Sequence, residues 1–96
     1  MYTLDQILKI LREKKPDLQK RYPISELGVF GSYIRGDFTE KSDIDILVDF
    51  NDRIGIGFIK LAHEPEDSFN VRVDVVSRRG IKEKYLPFVE KYLVHV

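Results

Sequence analysis

The sequence predicts an α/β (α+β) fold, a small mixed β-sheet flanked by helices. Three observations predict it. An apolar stripe at helical spacing opens the chain, short apolar runs at 43–50 and 71–76 carry strand character, and helical faces fall between and after those runs. The element order that follows is helix, strand, turn, strand, helix, strand, helix.

The first helix is announced by "TLDQ" at 3–6, which has the form of a capping box with Thr3 as N-cap and Gln6 three residues on. Leu4, Ile7, Leu8 and Leu11 then share one face, which predicts a helix over 4–14. Pro16 is expected to end or restart it, with a short helix at 17–21 before Pro23. "ISELGVFGS" gives a strand at 26–30 closed by Gly31, and 32–36 suit one helical turn with Ser32 as N-cap and Gly36 as its end. "DIDILVDF" is a strand over 43–50, and "NDRIGIG" a loop. Phe58, Leu61, Ala62 and Phe69 keep one helical face, which Pro65 is expected to kink or restart. "NVRVDVV" alternates and predicts a strand over 71–76, with Arg72 and Asp74 on its polar face. Ile81, Tyr85, Val89 and Tyr92 form an apolar helical row, and Pro87 is placed to open a second short helix. The terminal "YLVHV" reads either as a frayed end or as a short edge strand.

Bulk composition narrows the function. The 96 residues fit one small domain, 1–96, without repeat, linker or low-complexity tract. No apolar run approaches the ~20 residues of a membrane span, and the first residues lack an export signal. There is no cysteine, which excludes disulfides and thiolate chemistry and fits a cytoplasmic protein. Sixteen basic and sixteen acidic residues cancel, which argues against a general nucleic-acid-coating role.

The chemistry concentrates in "GSYIRGDFTEKSDIDILVDF", residues 31–50. Asp43 and Asp45 stand two apart on a strand, so they share a face about 6.6 Å apart along the chain, while Ile44, Ile46 and Val48 take the other. Two carboxylates so close repel unless a positive group sits between them, and hard oxygen donors suit Mg²⁺ or Mn²⁺. If the strand of Asp74 is a neighbour, a third carboxylate joins. Three acids can hold two metals about 3.5–4 Å apart, the arrangement used for in-line displacement at phosphorus. Upstream, a strand ending in Gly31 and a helix starting at Ser32 leave backbone N–H groups free for a phosphate. Arg35 lies one turn on, where its fork can grip a terminal phosphate.

"GS" at 31–32, ten residues, then "DID" at 43–45 resembles the G-S-x10-D-x-D signature of the polymerase-β-type nucleotidyltransferase superfamily. The stretch "GSYIRGDFTEKSDIDILV", with the later "VDVV" acid, is especially similar to the minimal nucleotidyltransferase (MNT) family. Its members are short proteins often paired with HEPN-domain proteins in toxin–antitoxin modules. The resemblance implies the nucleotidyltransferase fold, two Mg²⁺ held by the catalytic acids Asp43, Asp45 and Asp74, and a nucleoside triphosphate gripped by Gly31 and Ser32. It also implies, for some members, transfer of AMP from ATP to a tyrosine of the HEPN toxin, which silences it. The chain departs from the family pattern at "HEPEDSFN", where Pro65 interrupts the helix before the third strand.

Plainer readings stand beside these. Strand acids in isolation usually serve solubility, Ser32 suits simple helix capping, and Arg35 can pair with Asp37 or Glu40. Asp49 shares the face of Asp45 but lies about 13 Å along the strand from it and is read as solvated or salt-bridged. His63 and His95 are too few for a zinc site and are read as surface residues. Tyr85 and Tyr92 are read as core or partner contacts, and the basic "SRRGIKEK" at 77–84 as a solvated helix start. No residues remain for a separate acceptor-binding domain, so the acceptor surface is expected from a partner chain or a homo-oligomer. Competing functions are a non-catalytic antitoxin that acts by contact, and nucleotidyl transfer to RNA or a small molecule.

Overall fold

A capped amphipathic helix opens the computed structural model, which describes residues 2–39, 42–51, 57, 60–61, 63–64, 69 and 72–96. Helix α1 spans Leu4–Arg21. The capping box forms: Thr3 Oγ1 accepts from the Gln6 N–H at 3.2 Å, and Gln6 Oε1 accepts from the Thr3 N–H at 2.8 Å. Pro16 neither ends nor restarts the helix, contrary to expectation; it lies inside a continuous α1. The reason is burial. Leu18 continues the stripe of Ile7, Leu8 and Leu11 into the core, and that packing offsets the hydrogen bond which an interior proline removes. Termination falls instead at Tyr22, just before Pro23.

Strand β1 (Ile24–Phe30) follows, then the single turn α2 (Ser32–Arg35) and strand β2 (Ile44–Phe50). Strand β3 (Val73–Ser77) leads into two 3₁₀ turns, Arg78–Gly80 and Glu83–Tyr85. Helix α3 (Leu86–Lys91) carries Pro87 in its first turn, as its fixed φ favours, and β4 (Val94–His95) closes the chain. The expected helical row from Ile81 to Tyr92 is therefore broken: its first half is 3₁₀ turn and coil, and the basic 77–84 stretch is a turn rather than a helix start. The terminal residues form the edge strand.

The sheet order is β3-β2-β1-β4. β1 pairs antiparallel with β2 and β4, and β2 pairs parallel with β3, so the sheet is mixed. A parallel neighbour needs a crossover, and Leu61 and Phe69, both helical in conformation, bury themselves in the core from within it. Phe58, Ala62 and Pro65, along with most of the 51–57 loop, lie outside the described residues.

β2 organises the core. Ile44, Ile46 and Val48 lie on one face with no more than 1% of their surface exposed and pack with the α1 stripe and Val29. Leu47, on the opposite face, is also fully buried but stands apart from that cluster. The acid-bearing face is thus covered at Leu47 and opens toward Asp45. Among the described residues no helix is long and apolar enough to cross a membrane.

Candidate active site

The site forms where β1 ends and β2 and β3 begin. Gly31 closes β1 at φ +82°, a conformation that side chains disfavour, and a Cβ there would strike the Asp45 carboxylate. Glycine is thus required twice, for the turn and for the approach of Asp45. The Gly31 carbonyl accepts from the Ile34 and Arg35 N–H groups at 3.1 and 3.0 Å, which makes Gly31 the N-cap. Ser32 is the first helical residue rather than the cap. Gly36, at φ +86°, ends the turn as expected, and its N–H donates to the Ser32 carbonyl at 2.9 Å. The turn is held by buried Tyr33, whose ring stacks on Phe38 at a 4.4 Å centroid separation. First-turn N–H groups of such a helix face outward without intrahelical partners.

The register places the acids. Asp45 is the parallel partner of Asp74, and Phe30 is the antiparallel partner of Asp45. Side chains in register on adjacent strands share a face, with strands about 4.8 Å apart. Asp45 is half-buried, and its carboxyl is pushed up to about 6 by burial first, then by the charges of Asp74 and Asp43, with Arg35 opposing. Asp43, just before β2, has Oδ2 3.7 Å from Arg72 Nε, and that arginine is largely exposed. Arg35 Nε lies 3.4 Å from Asp37 Oδ2, a loose surface pair that leaves the guanidinium at the cleft; Glu40 is outside the described residues. Asp49 is salt-bridged, 3.4 Å from Arg79 Nε.

Among the described residues no three His, Cys, Asp or Glu side chains gather closely enough to enclose a metal ion. The chemistry of the donors still fits a hard divalent cation: the donors are carboxylates, and burial together with the neighbouring charges of Asp74 and Asp43 raises Asp45, a cost that a bound cation would offset.

Gly31, Arg35, Asp45 and Asp74 line a cleft of about 370 Å³. Its apolar lining comes from Phe30 and Val76 beside the acids and from Ile81, Val89, Tyr92 and the exposed Phe88 after β3. Sequence reasoning missed Phe88, although it stands at helical spacing from Ile81, Tyr85 and Tyr92, a signal that could have found it. It also missed what holds that wall. Arg78 Nε and Nη2 donate to the two oxygens of Glu26 at 2.6 and 2.9 Å, while Nη1 donates to Glu90 on α3 at 2.6 Å. His95 Nε2 lies 2.5 Å from the same Glu26, so His95 is at the surface, as expected, but partnered. Glu26 is drawn down to about 2, chiefly by the Arg78 hydrogen bonds, with His95 adding to them.

A glycine turn set against in-register strand acids is an arrangement that points to a class. The model of the nucleotidyltransferase domain matches residues 4–94, and the chain belongs to that family. The protein is a nucleotidyltransferase. Among particular proteins, it is similar to the protein adenylyltransferase MntA of Thermococcus cleftensis, 40% identical over 97 residues that cover 100% of this chain and 98% of that one. A solved minimal nucleotidyltransferase superimposes with TM-score 0.80 at 32% identity, covering 99% of this chain and 97% of the other. A chain from the complex of tri-AMPylated Shewanella oneidensis HEPN toxin with MNT antitoxin gives TM-score 0.59 at 25% identity, covering 95% of this chain and 66% of that one. The fold and the MNT resemblance read from the sequence are borne out.

Proposed function

We propose that this protein is a protein adenylyltransferase. It transfers AMP from ATP to a hydroxyl of a HEPN-domain partner and acts as the antitoxin of that pair. The observation that carries this reading is the register of Asp45 beside Asp74, against the Gly31 turn, in a chain 40% identical to a protein adenylyltransferase. The likeness to an MNT antitoxin complexed with an AMPylated toxin supports the choice of partner.

In this reading the Gly31–Ser32 turn and Arg35 seat the triphosphate and hold its β and γ phosphates in line with the incoming hydroxyl. Asp43, Asp45 and Asp74 hold two Mg²⁺ ions, with Mn²⁺ as a substitute, which when bound supply charge neutralisation at phosphorus and acidify the attacking hydroxyl. The acceptor oxygen bonds to the α-phosphorus, the bond from that phosphorus to the bridging oxygen breaks, and pyrophosphate leaves. Asp74, exposed at the edge of the cluster, takes the hydroxyl proton on a carboxylate oxygen. Residues 1–96 act as one catalytic domain, in the cytoplasm, and the acceptor surface is the partner's.

Position-specific label tests the reaction. Label on the α-phosphate of ATP is expected on the partner, and label on the γ-phosphate in released pyrophosphate. Label from the γ-phosphate on the partner would mean phosphoryl transfer and would refute the proposal.

A further inference from the structure

Helix α3 poses a problem that the reaction does not answer. It contains Leu86, Phe88 and Val89, yet none of its residues is buried. Phe88 is 70% exposed, the most exposed large apolar side chain among the described residues. A short helix without core contacts has little to hold it, because isolated helices of this length are unstable in water. Polar contacts hold this one instead. Arg78 bridges Glu90 on α3 to Glu26 on β1. β4 then pins the following residues to β1, over Gly28, where a Cβ would collide with Leu93 and Val94. The apolar side chains of α3 are thus fixed in position but not consumed by the core.

They face a defined neighbour. Phe88, Val89 and Tyr92 line the same cleft as Asp45, Asp74 and Arg35. The charged part of that lining suits a polyphosphate with its cations, and the residues from α3 and its end add aromatic and aliphatic surface. A ligand that uses both carries a charged chain on a flat, weakly polar ring. The cleft, at about 370 Å³, has the scale of a small-molecule site. A protein interface takes ~800 Å² per partner and would not be confined to one concave wall.

We propose that Phe88, flanked by Tyr92, is the stacking platform for the base of the nucleotide. This rests on the nucleotidyltransferase reading and extends it by naming where the base lies. Stacking on one open aromatic face tolerates any base, because each has a π-face, and favours the larger purines by contact area. The platform contributes to binding through the ring and not through the phosphates, which separates it from the acids and the glycine turn.

Calorimetric titration of the full chain with Mg²⁺–ATP and, separately, with Mg²⁺–tripolyphosphate tests it. Phe88→Ala is expected to weaken ATP about tenfold and to leave tripolyphosphate unchanged. Phe88→Trp is expected to keep or tighten ATP binding. Unaltered ATP affinity in Phe88→Ala, including the case where only transfer to the partner falls, would assign the ring to acceptor docking and overturn the proposal. Equal losses for both ligands would mean that the ring merely shapes the cleft, and would overturn it as well. If the wild-type protein binds ATP no more tightly than tripolyphosphate, stacking alone is refuted. If it binds neither, the nucleotidyltransferase reading falls too.

Discussion

The two walls of the cleft are built by opposite means. The acidic wall stands on β2, where Ile44, Ile46, Leu47 and Val48 are dry and the α1 stripe presses on one face. The apolar wall stands on α3, which has no fully buried residue and is fastened by one arginine and two carboxylates. Charges thus rest on hydrophobic packing, and apolar groups rest on charges. Packed interiors are close to rigid, so the first arrangement fixes Asp45 against Asp74 with little play. A fork of hydrogen bonds fixes the second without hiding its apolar surface. The consequence is that the two walls can be damaged separately.

The largest effect is expected at the acids. Asp45→Asn should lower adenylyl transfer on the order of 10²–10³-fold, as loss of a key electrostatic group does. The same variant, without metal, should be more stable than wild type at pH 7. The folded-state pKa near 6 lies above the ordinary value, so ionised Asp45 opposes folding as pH rises through 6. Discounted for the solvent that screens a half-buried group, the gain is about 1 kcal/mol, readable by thermal denaturation.

Next comes the packing beneath those acids. Ile46→Ala, fully buried, should cost about 3 kcal/mol in denaturant unfolding and reduce binding of ATP and tripolyphosphate together.

The clamp should show in acid. Glu26 has its pKa drawn down to about 2 in the folded state, from an ordinary value near 4.5. Its contribution is present above about pH 5 and is lost as pH falls from there toward 2. Roughly 2 kcal/mol of stability should go over that window in wild type, and Glu26→Gln should flatten that part of the profile. The smallest effect is expected at Phe88. Phe88→Ala should change stability by less than about 0.5 kcal/mol, because the ring buries little. A loss as large as that at Ile46 would erase the contrast between the walls.

The acidic wall was legible in the sequence and the apolar wall only in part, as the row of Ile81, Val89 and Tyr92, for physical reasons. Asp43 and Asp45 betray themselves by interrupting an apolar strand at period two, and Gly31 by ending another. These are local signals. The strand order that sets Asp74 beside Asp45 is not local, and it entered only through the condition that the two strands be neighbours. The capping box, Gly36 and Pro87 acted as their chemistry dictates. Pro16 did not, because burial of Leu18 outweighed a broken hydrogen bond. Serine's preference for the cap points to Ser32, but the chain turns at positive φ on Gly31, which makes Gly31 the cap instead. Arg78, Glu26 and Glu90 are far apart in sequence, and nothing short of the β1–β4 pairing brings them together. Phe88 sits in a six-residue helix, because the row it shares with Ile81, Tyr85 and Tyr92 is broken by 3₁₀ turns before Leu86.

The central claim is that the acid pair on β2 and β3 drives adenylyl transfer to a HEPN-domain partner. Its most direct test is intact-mass spectrometry of that partner after incubation with ATP, Mg²⁺ and either wild-type protein or Asp45→Asn. The account predicts mass gains in whole adenylyl steps with wild type and none with the variant. Equal gains with both, or silencing of the partner by wild type without any gain, would contradict it.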